Sequence, residues 1–487
     1  MVIGIGTAYP NLSAVRWPAS GTVCINAGTY DRMLVVAGVR KSAAAPLVIQ
    51  AREDANPPKL LQGSVVRNSS YVTLANLNVA NASGYAAVLV DQGSHHVTID
   101  RVWAHDAPFG IVIGSAVQPD GLGGPAGIGN VVQNSGAGTN VKYSGIAVQG
   151  GSGGQVPAGE PNYPYATTLR NNNVSGNGGH GISVDNAKFV KIEGNRVAVN
   201  GYGGGGYSGI HLYSSDDNGK CGNNLVRYNY VSQTWLLPKD ITATDGNGIL
   251  MDRYCDSNDV SYNVVWGNHG TGIAIFTSAN NRVYRNTVFG NTQQPGRTTL
   301  FPPPWSSLAE VTISTCAKVN VVTGKSDCGD TNVHPTRASG NQVFDNIIQS
   351  TVYGVPALYA APAVTVASLG NRIGPNLYWV GGDSADRPSA NWPPMTYGNP
   401  TTEISAAYVD RVTGISGNAV ERPAFDRDQT AASPAADGLR LAKRPSAVGQ
   451  VQSDMANDIA GKTPAGVTSY LGAYNCQAAA AGQACTR

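Results

Sequence analysis

Apolar and polar positions along the middle of the chain follow two short motifs and not the 3.6-residue period of a helix. The pattern Asn-x-Val-x-x-Asn occurs at Asn172/Val174/Asn177, Asn195/Val197/Asn200, Asn263/Val265/Asn268 and Asn286/Val288/Asn291, with a degenerate copy at Asn229/Val231. Successive first asparagines lie 23, 34, 34 and 23 residues apart. A second pattern, Gly-Ile-x-aliphatic, keeps step with it at Gly181–Val184, Gly209–Leu212, Gly248–Met251 and Gly272–Ile275, with earlier copies at Gly110–Ile113 and Gly145–Val148. Such short alternating segments predict strands. A repeat of about 23 residues predicts one coil of a parallel solenoid, in which each coil buries the face its neighbour would expose. The longer spacings are the same coil with a loop inserted. Asparagines repeated at one coil position are expected to form an internal hydrogen-bonded ladder that satisfies turn backbone groups, a structural role.

The period lapses at about 114–140, 150–166, 234–245 and 293–341, which are expected to be loops carried on the stack. After about 425 the text turns Ala/Ser/Pro-rich and aperiodic. This predicts coils over 1–425 and a wrap or cap over 426–487, since an open solenoid end exposes sheet edges. The opening segment from Thr22 to Tyr30 and the ending Tyr470-Leu471-Gly472-Ala473-Tyr474, with the repeats between them, resemble the right-handed parallel β-helix superfamily typified by pectin and pectate lyases. The resemblance spans roughly residues 20–425. It implies an all-β chain, a single-stranded right-handed parallel β-helix (solenoid) with inserted loops and a C-terminal capping segment. It does not choose a function, because this scaffold hosts lyases, hydrolases, epimerases and phage adhesins.

Composition narrows the classes. The chain has 487 residues, 60 of them Gly, and 13% are charged, with no three-residue glycine period, so it is neither collagen-like nor a charged disordered polymer. Its net charge of +2 supplies no global field for nucleic acid or an anionic membrane. No apolar run reaches membrane-spanning length, and MVIGIGTAYP lacks the parts of a signal peptide, so a soluble chain is expected, with any export signal already removed. Seven cysteines show no zinc spacing. Cys316 with Cys328, Cys476 with Cys485 and Cys221 with Cys255 can pair, leaving Cys24, which points to an oxidising, secreted or periplasmic setting. A monomer is expected.

If each motif Ile points inward, the residues one and three places later point outward and stack from coil to coil. One outer row then reads Ser183, His211, Leu250, Ala274, and the next Asp185, Tyr213, Asp252, Phe276. Adjoining turns add Asp216, Asp217, Arg253, Tyr254 and Asp256, while Asp245 and His269 enter the same coils. Asp and Asn also serve turns by bonding nearby backbone. Stacked carboxylates, however, repel unless a cation or shared proton relieves them.

Two chemistries use such a row. In one, Asp185, Asp216, Asp217 and Asp245 hold Ca²⁺, which favours several hard oxygens, and a base removes the C5 proton of a sugar uronate as the glycosidic bond breaks. The arrangement resembles calcium-dependent pectate lyases with an Asp-Asp pair in one turn and an Asp-Gly one coil later, here Asp216-Asp217 and Asp245-Gly246. Those enzymes place a lysine base soon after the Asp-Gly, and this chain has Ile249, Leu250 and Met251 there. The catalytic set is therefore expected to be His211, with its near-neutral pKa, Tyr213, Arg253 and Asp252. Tyr254, Lys220, Arg227 and Trp235 are expected to bind substrate. In the other chemistry, paired carboxylates hydrolyse a glycosidic bond. Gly179-His180-Gly181 is similar to a polygalacturonase motif, but the Asp-Asp pair follows it here where that family has it first, and parity points His180 inward as a turn or core residue. The leading expectation is a polysaccharide lyase on an acidic glycan. Glycoside hydrolase, uronate C5 epimerase and a non-catalytic glycan-binding rod are the alternatives.

Overall fold

The computed structural model describes residues 1–4, 7–12, 15–114, 126–150, 166–204, 206–237, 245–293, 308–316, 336–381, 395–397, 405–423 and 473. The chain divides into two compact units, one of Met1–Gly203 with Ile210–Leu225 and one of Gly204–Gly209 with Val226–Arg487. In both, each coil contributes one short strand to each of three parallel sheets. The coil that holds Thr98–Asp100, Trp103–His105 and Phe109–Ile113 is representative.

Register follows the motif parity. In the first unit Ile111, Ile146, Ile182 and Ile210 align from strand to strand, and so do Ile113, Val148, Val184 and Leu212. All are essentially without solvent exposure. In the second unit Ile249 pairs with Ile273 and Ile273 with Val311. Burying each such side chain stabilises by about 1.5–3 kcal/mol, so a one-residue slip that turned these rows outward would cost the whole core.

Corners between the first and second strand of a coil take two residues. The first is in the left-handed region, as at Asn76, Arg101, Asn134 and Asn171 in the first unit and Tyr228, Tyr262, Arg285 and Asp345 in the second. The second residue turns inward and carries the ladder. In the first unit the Asn172 main-chain N–H and side-chain amide both donate to Asn195 Oδ1 at 2.9 Å, and Asn195 donates to the Leu169 carbonyl. In the second unit the same geometry runs through Asn229, Asn263, Asn286, Asn346, Asn376 and Asn418. A parallel ladder, which the motif did not reveal, joins Asn258, Asn281, Asn341 and Asn371.

Two segments read as loops contain coil strands. Asn130–Gln133 and all but the last residue of Gly136–Val141 lie within 114–140, and Val311–Ser314 lies within 293–341. The glycines hid the first pair because a close-packed coil needs them: a Cβ on Gly136 would stand 2.2 Å from the Trp103 ring, and one on Gly138 1.8 Å from the Ser175 carbonyl oxygen. Of the expected C-terminal wrap, the one described residue is Ala473. It packs with Val264, Trp266 and Phe289, and its N–H donates to Thr287 Oγ1 at 3.1 Å.

A further ladder in the second unit runs Asn268, Asn291 and then Glu310 in place of a third asparagine. Both Glu310 oxygens accept from the Asn291 N–H, at 2.9 and 3.0 Å, and Oε2 also accepts from its side-chain amide at 2.6 Å. Burial pushes this carboxyl up to about 8, against the pull of those bonds. An acid raised on folding binds a proton in the native state that the unfolded chain has released, so stability falls as pH rises from the unfolded value toward 8. Glu310→Gln, which keeps the shape without the charge, should raise the urea midpoint at pH 8.5 and change it little below pH 4.5. Equal midpoints at both pH values would show that Glu310 carries no such penalty.

Candidate functional site

The sheet containing Ile182–Asp185 and Ile210–Tyr213 presents the outer rows that parity predicted. Ser183 pairs with His211 and Asp185 with Tyr213. One coil earlier Ala147 and Gln149 hold the corresponding positions. Asp185, His211 and Tyr213 are thus brought together on one face of the first unit, because alternation and parallel register leave them no other place.

His211 is a buried ring in a stack. The His180 ring lies on it at 4.3 Å and 14°, and the Tyr213 ring at 5.8 Å and 16°. His180 is therefore on the site face and not an inward residue. Parity fails there because His180 precedes the strand, which begins at Ile182, and Gly181 turns the corner between them. Its signal in the sequence was the Gly-His-Gly motif.

Asp185 ends its strand partly buried, within a directed set of hydrogen bonds. Ser144 Oγ donates to Ser183 Oγ at 3.1 Å, and Ser183 Oγ donates to Asp185 Oδ2 at 3.0 Å. Gln149 also bonds Asp185, while its Oε1 accepts from the Tyr85 hydroxyl at 2.6 Å, leaving the amide nitrogen as the group that faces the carboxyl. Burial raises the Asp185 carboxyl above the ordinary carboxylate range, outweighing the His211 charge and the Ser183 and Gln149 bonds, which pull it down. Burial likewise raises Tyr85 to about 12, so its phenol remains a donor. Gln149 stands three places after Ile146 as Asp185 does after Ile182, but it carries no charge to draw notice; Ser144 precedes its strand, and Tyr85 belongs to a coil without the Gly-Ile motif.

The other expected residues have surroundings of their own. Asp216 is bonded by Lys220 Nζ at 2.6 Å and by the Asn218 N–H at 3.2 Å, and the lysine holds its carboxyl below the usual range. Asp217 is exposed on the same turn. In the second unit, Asp252 Oδ1 accepts from the Arg253 N–H at 2.7 Å, the local bond expected of a turn residue. Asp245 is half-buried beside Gly246, whose N–H donates to the Tyr207 carbonyl. Tyr254, expected on substrate, is buried in a left-handed turn with the Arg337 guanidinium 5.7 Å from its ring centre, so it offers no sugar surface. Arg227 is in Leu225–Arg227, a strand of a different sheet from that of Ile249–Met251, and its guanidinium lies over Tyr228. Trp235 is 44% exposed, with its ring 4.9 Å from that of His269.

Asp185 is desolvated and bonded within its own face, Asp216 is taken by Lys220 and Asn218, and among the described residues no three of His, Cys, Asp and Glu stand close enough to hold a metal ion. Cys221, Cys255 and Cys316 are disulfide-bonded, and Cys24 is a free thiol. Cys328, Cys476 and Cys485 lie outside the described residues. Among the described residues no helix is long and apolar enough to cross a membrane.

Residues 62–299 match the family model for a right handed beta helix region. No curated protein matches the chain. Among solved structures it is similar to the A-module of the Azotobacter vinelandii mannuronan C-5 epimerase AlgE6, at 14% identity over 83% of this chain and 91% of that one, with a TM-score of 0.51. The A-module of AlgE4 from the same organism matches at 15% identity over 79% and 91%, with a TM-score of 0.48. The GH136 lacto-N-biosidase of Eubacterium ramulus matches at 13% identity over 73% and 59%, with a TM-score of 0.43. The chain is a right-handed parallel β-helix, as its resemblance to that superfamily implied, and identities this low speak to the fold alone.

With Asp216 held by a lysine in a surface turn, Asp216→Asn should leave turnover on any glycan within about twofold of the unsubstituted protein, since such exposed pairs contribute little. A complete loss of turnover in that variant would return Asp216 to the site.

Proposed function

We propose that the chain is an exported polysaccharide-cleaving enzyme that removes the C5 proton of a uronate residue at the Asp185/His211/Tyr213 face, most simply as a lyase. The supporting observation is geometric: Asp185, bonded by Ser183, and His211, stacked between His180 and Tyr213, stand on one face of adjacent paired strands. Proton abstraction beside a carboxylate needs a base of near-neutral pKa and a means of taking up charge on the carboxylate. In its neutral form His211 is the base, and the imidazolium it becomes on taking the proton is the charge that draws the Asp185 carboxyl down. In its protonated form, which burial favours, Asp185 donates a hydrogen bond to the uronate carboxyl group and so stabilises the enolate that forms there.

The electron balance is that of an elimination. His211 takes the C5 proton, the C5–H electrons pass through the enolate to form the C4=C5 double bond, and the C4–O4 bond breaks. Tyr213, next to Asp185 on the adjacent coil, gives its proton to O4. Epimerisation shares the first step and returns a proton to the opposite face of C5, so the A-module neighbour makes it the second reading. For the hydrolase alternative, the groups acting on Asp185 are His211, Ser183 and Gln149, and a second carboxylate is not among them in the described residues. The disulfide-bonded cysteines support an oxidising compartment.

The first assay is ultraviolet absorbance of unsaturated uronate on pectate, alginate and glucuronan, with calcium and with chelator, alongside proton NMR for C5 inversion. Signal on one substrate supports the proton-abstraction reading, and new reducing ends without unsaturation would replace it with hydrolysis.

The protonated role of Asp185 fixes a sign. Activity should decline as pH rises through its raised pKa, because the donor is lost. Asp185→Asn, a permanent donor, should keep activity within about tenfold and abolish that decline, whereas Asp185→Ala should lose about 10²-fold or more, the scale of a lost oxyanion donor. An inactive Asp185→Asn would mean that the carboxylate itself is required. Ser183→Ala removes a bond that favours the ionised form, so the alkaline limb should move to higher pH, read from kcat/KM profiles.

A further inference from the structure

Upstream of Asp185 in the same unit, three aromatic rings follow one another beside the site sheet. The Tyr85 and Phe109 centroids are 5.0 Å apart, and those of Phe109 and Tyr143 are 5.1 Å apart. These steps match the spacing of about 4.8 Å between stacked strands. Tyr85 and Phe109 are half-buried against the apolar outer row that includes Leu89 and Val112. Tyr143 is 37% exposed, and Lys142 Nζ lies 4.9 Å from its ring centre. The row is joined to the candidate site, because the Tyr85 hydroxyl holds Gln149, which in turn bonds Asp185.

We propose that this row is a binding platform for the part of an acidic polysaccharide that is not being attacked, with a sugar face on Tyr143 and a uronate carboxylate on Lys142. The proposal rests on the reading of Asp185 and His211 as a uronate site. Three features favour this occupant over a protein partner. Rings repeating at the coil spacing suit a polymer of repeating rings, an aromatic face stacks on the C–H face of a sugar, and the cation at its exposed end complements a uronate. Lys142 also brings local positive charge to a chain whose net charge is only +2. Phe109 lies against Tyr143, and Tyr85 against Phe109, so the exposed ring is braced and loses little freedom on binding.

An oligomer too short to cover both Asp185 and Tyr143 gains nothing from the platform, so binding depends on substrate length. The test uses the full chain, with pectate and alginate as polymer and as short oligomers. Binding is measured by calorimetry on the His211→Ala background and turnover on the active protein. Tyr143→Ala should weaken polymer binding and raise KM about three- to tenfold with kcat unchanged, while Tyr143→Phe retains binding. The effect should vanish on the shortest oligomers that still bind. Lys142→Ala should raise KM at low salt and lessen its salt dependence. Unchanged KM and polymer binding in both Tyr143→Ala and Lys142→Ala, in a protein that turns over the polymer, would overturn the platform alone. Tyr143-dependent binding without turnover would overturn the proton-abstraction chemistry and leave the platform standing. Absence of glycan binding by the unsubstituted protein would overturn both.

Discussion

The side-chain amide that closes each corner is the constraint on which the rest depends. A coil of three short strands turns sharply, and each turn brings main-chain N–H and C=O groups into an interior where water cannot serve them. An asparagine there presents one carbonyl oxygen to the preceding coil's N–H and side-chain amide, and one amide to a main-chain carbonyl. Asn286 does this between Asn263, Asn346 and the Val260 carbonyl. An unsatisfied buried group of this kind costs about 1–3 kcal/mol, so a missing rung is felt at once by two coils. The ladders therefore set the register, and the register decides which side chains share a face.

Once register is set, the outer face follows with little freedom. Asp185 and His211 occupy adjacent outer rows on adjacent coils because both lie at odd offsets from an inward isoleucine. The surrounding bonds then give them unlike electrostatic settings. Asp185 receives hydrogen bonds from Ser183 and Gln149 yet is still pushed toward its neutral form, so desolvation outweighs two favourable contacts. A rigid stack is well suited to hold such an arrangement, since its strands do not relax to let water in.

Much of this was legible beforehand because it is repeated. The inward rows, the asparagine ladders and the pairing of Asp185, His211 and Tyr213 on one face all follow from parity and coil length. What escaped was whatever occurs once. His180 sits at a glycine corner where alternation is undefined, Gln149 lies in the right row but bears no charge, and Tyr85 comes from a coil without the Gly-Ile motif. Glu310 stands where the pattern would have an asparagine. Tyr254 is buried beneath an arginine that arrives from a distant part of the chain. The carboxylates of Asp216 and Asp252 each bond a donor of their own turn, a nearness that coil-to-coil parity does not describe.

The contact at Ala473 bears on how the chain assembles. Coil partners in the ladders lie as few as 23 residues apart, so each coil can form on the one before it with little loss of loop freedom. The Ala473 N–H instead meets a residue 186 positions earlier. That bond needs the coils of Val264, Trp266 and Phe289 already built, because their side chains form the seat on which it rests. It therefore reports on completion: a chain whose coils stall has no seat for its tail, and the unoccupied apolar face stays available to quality control.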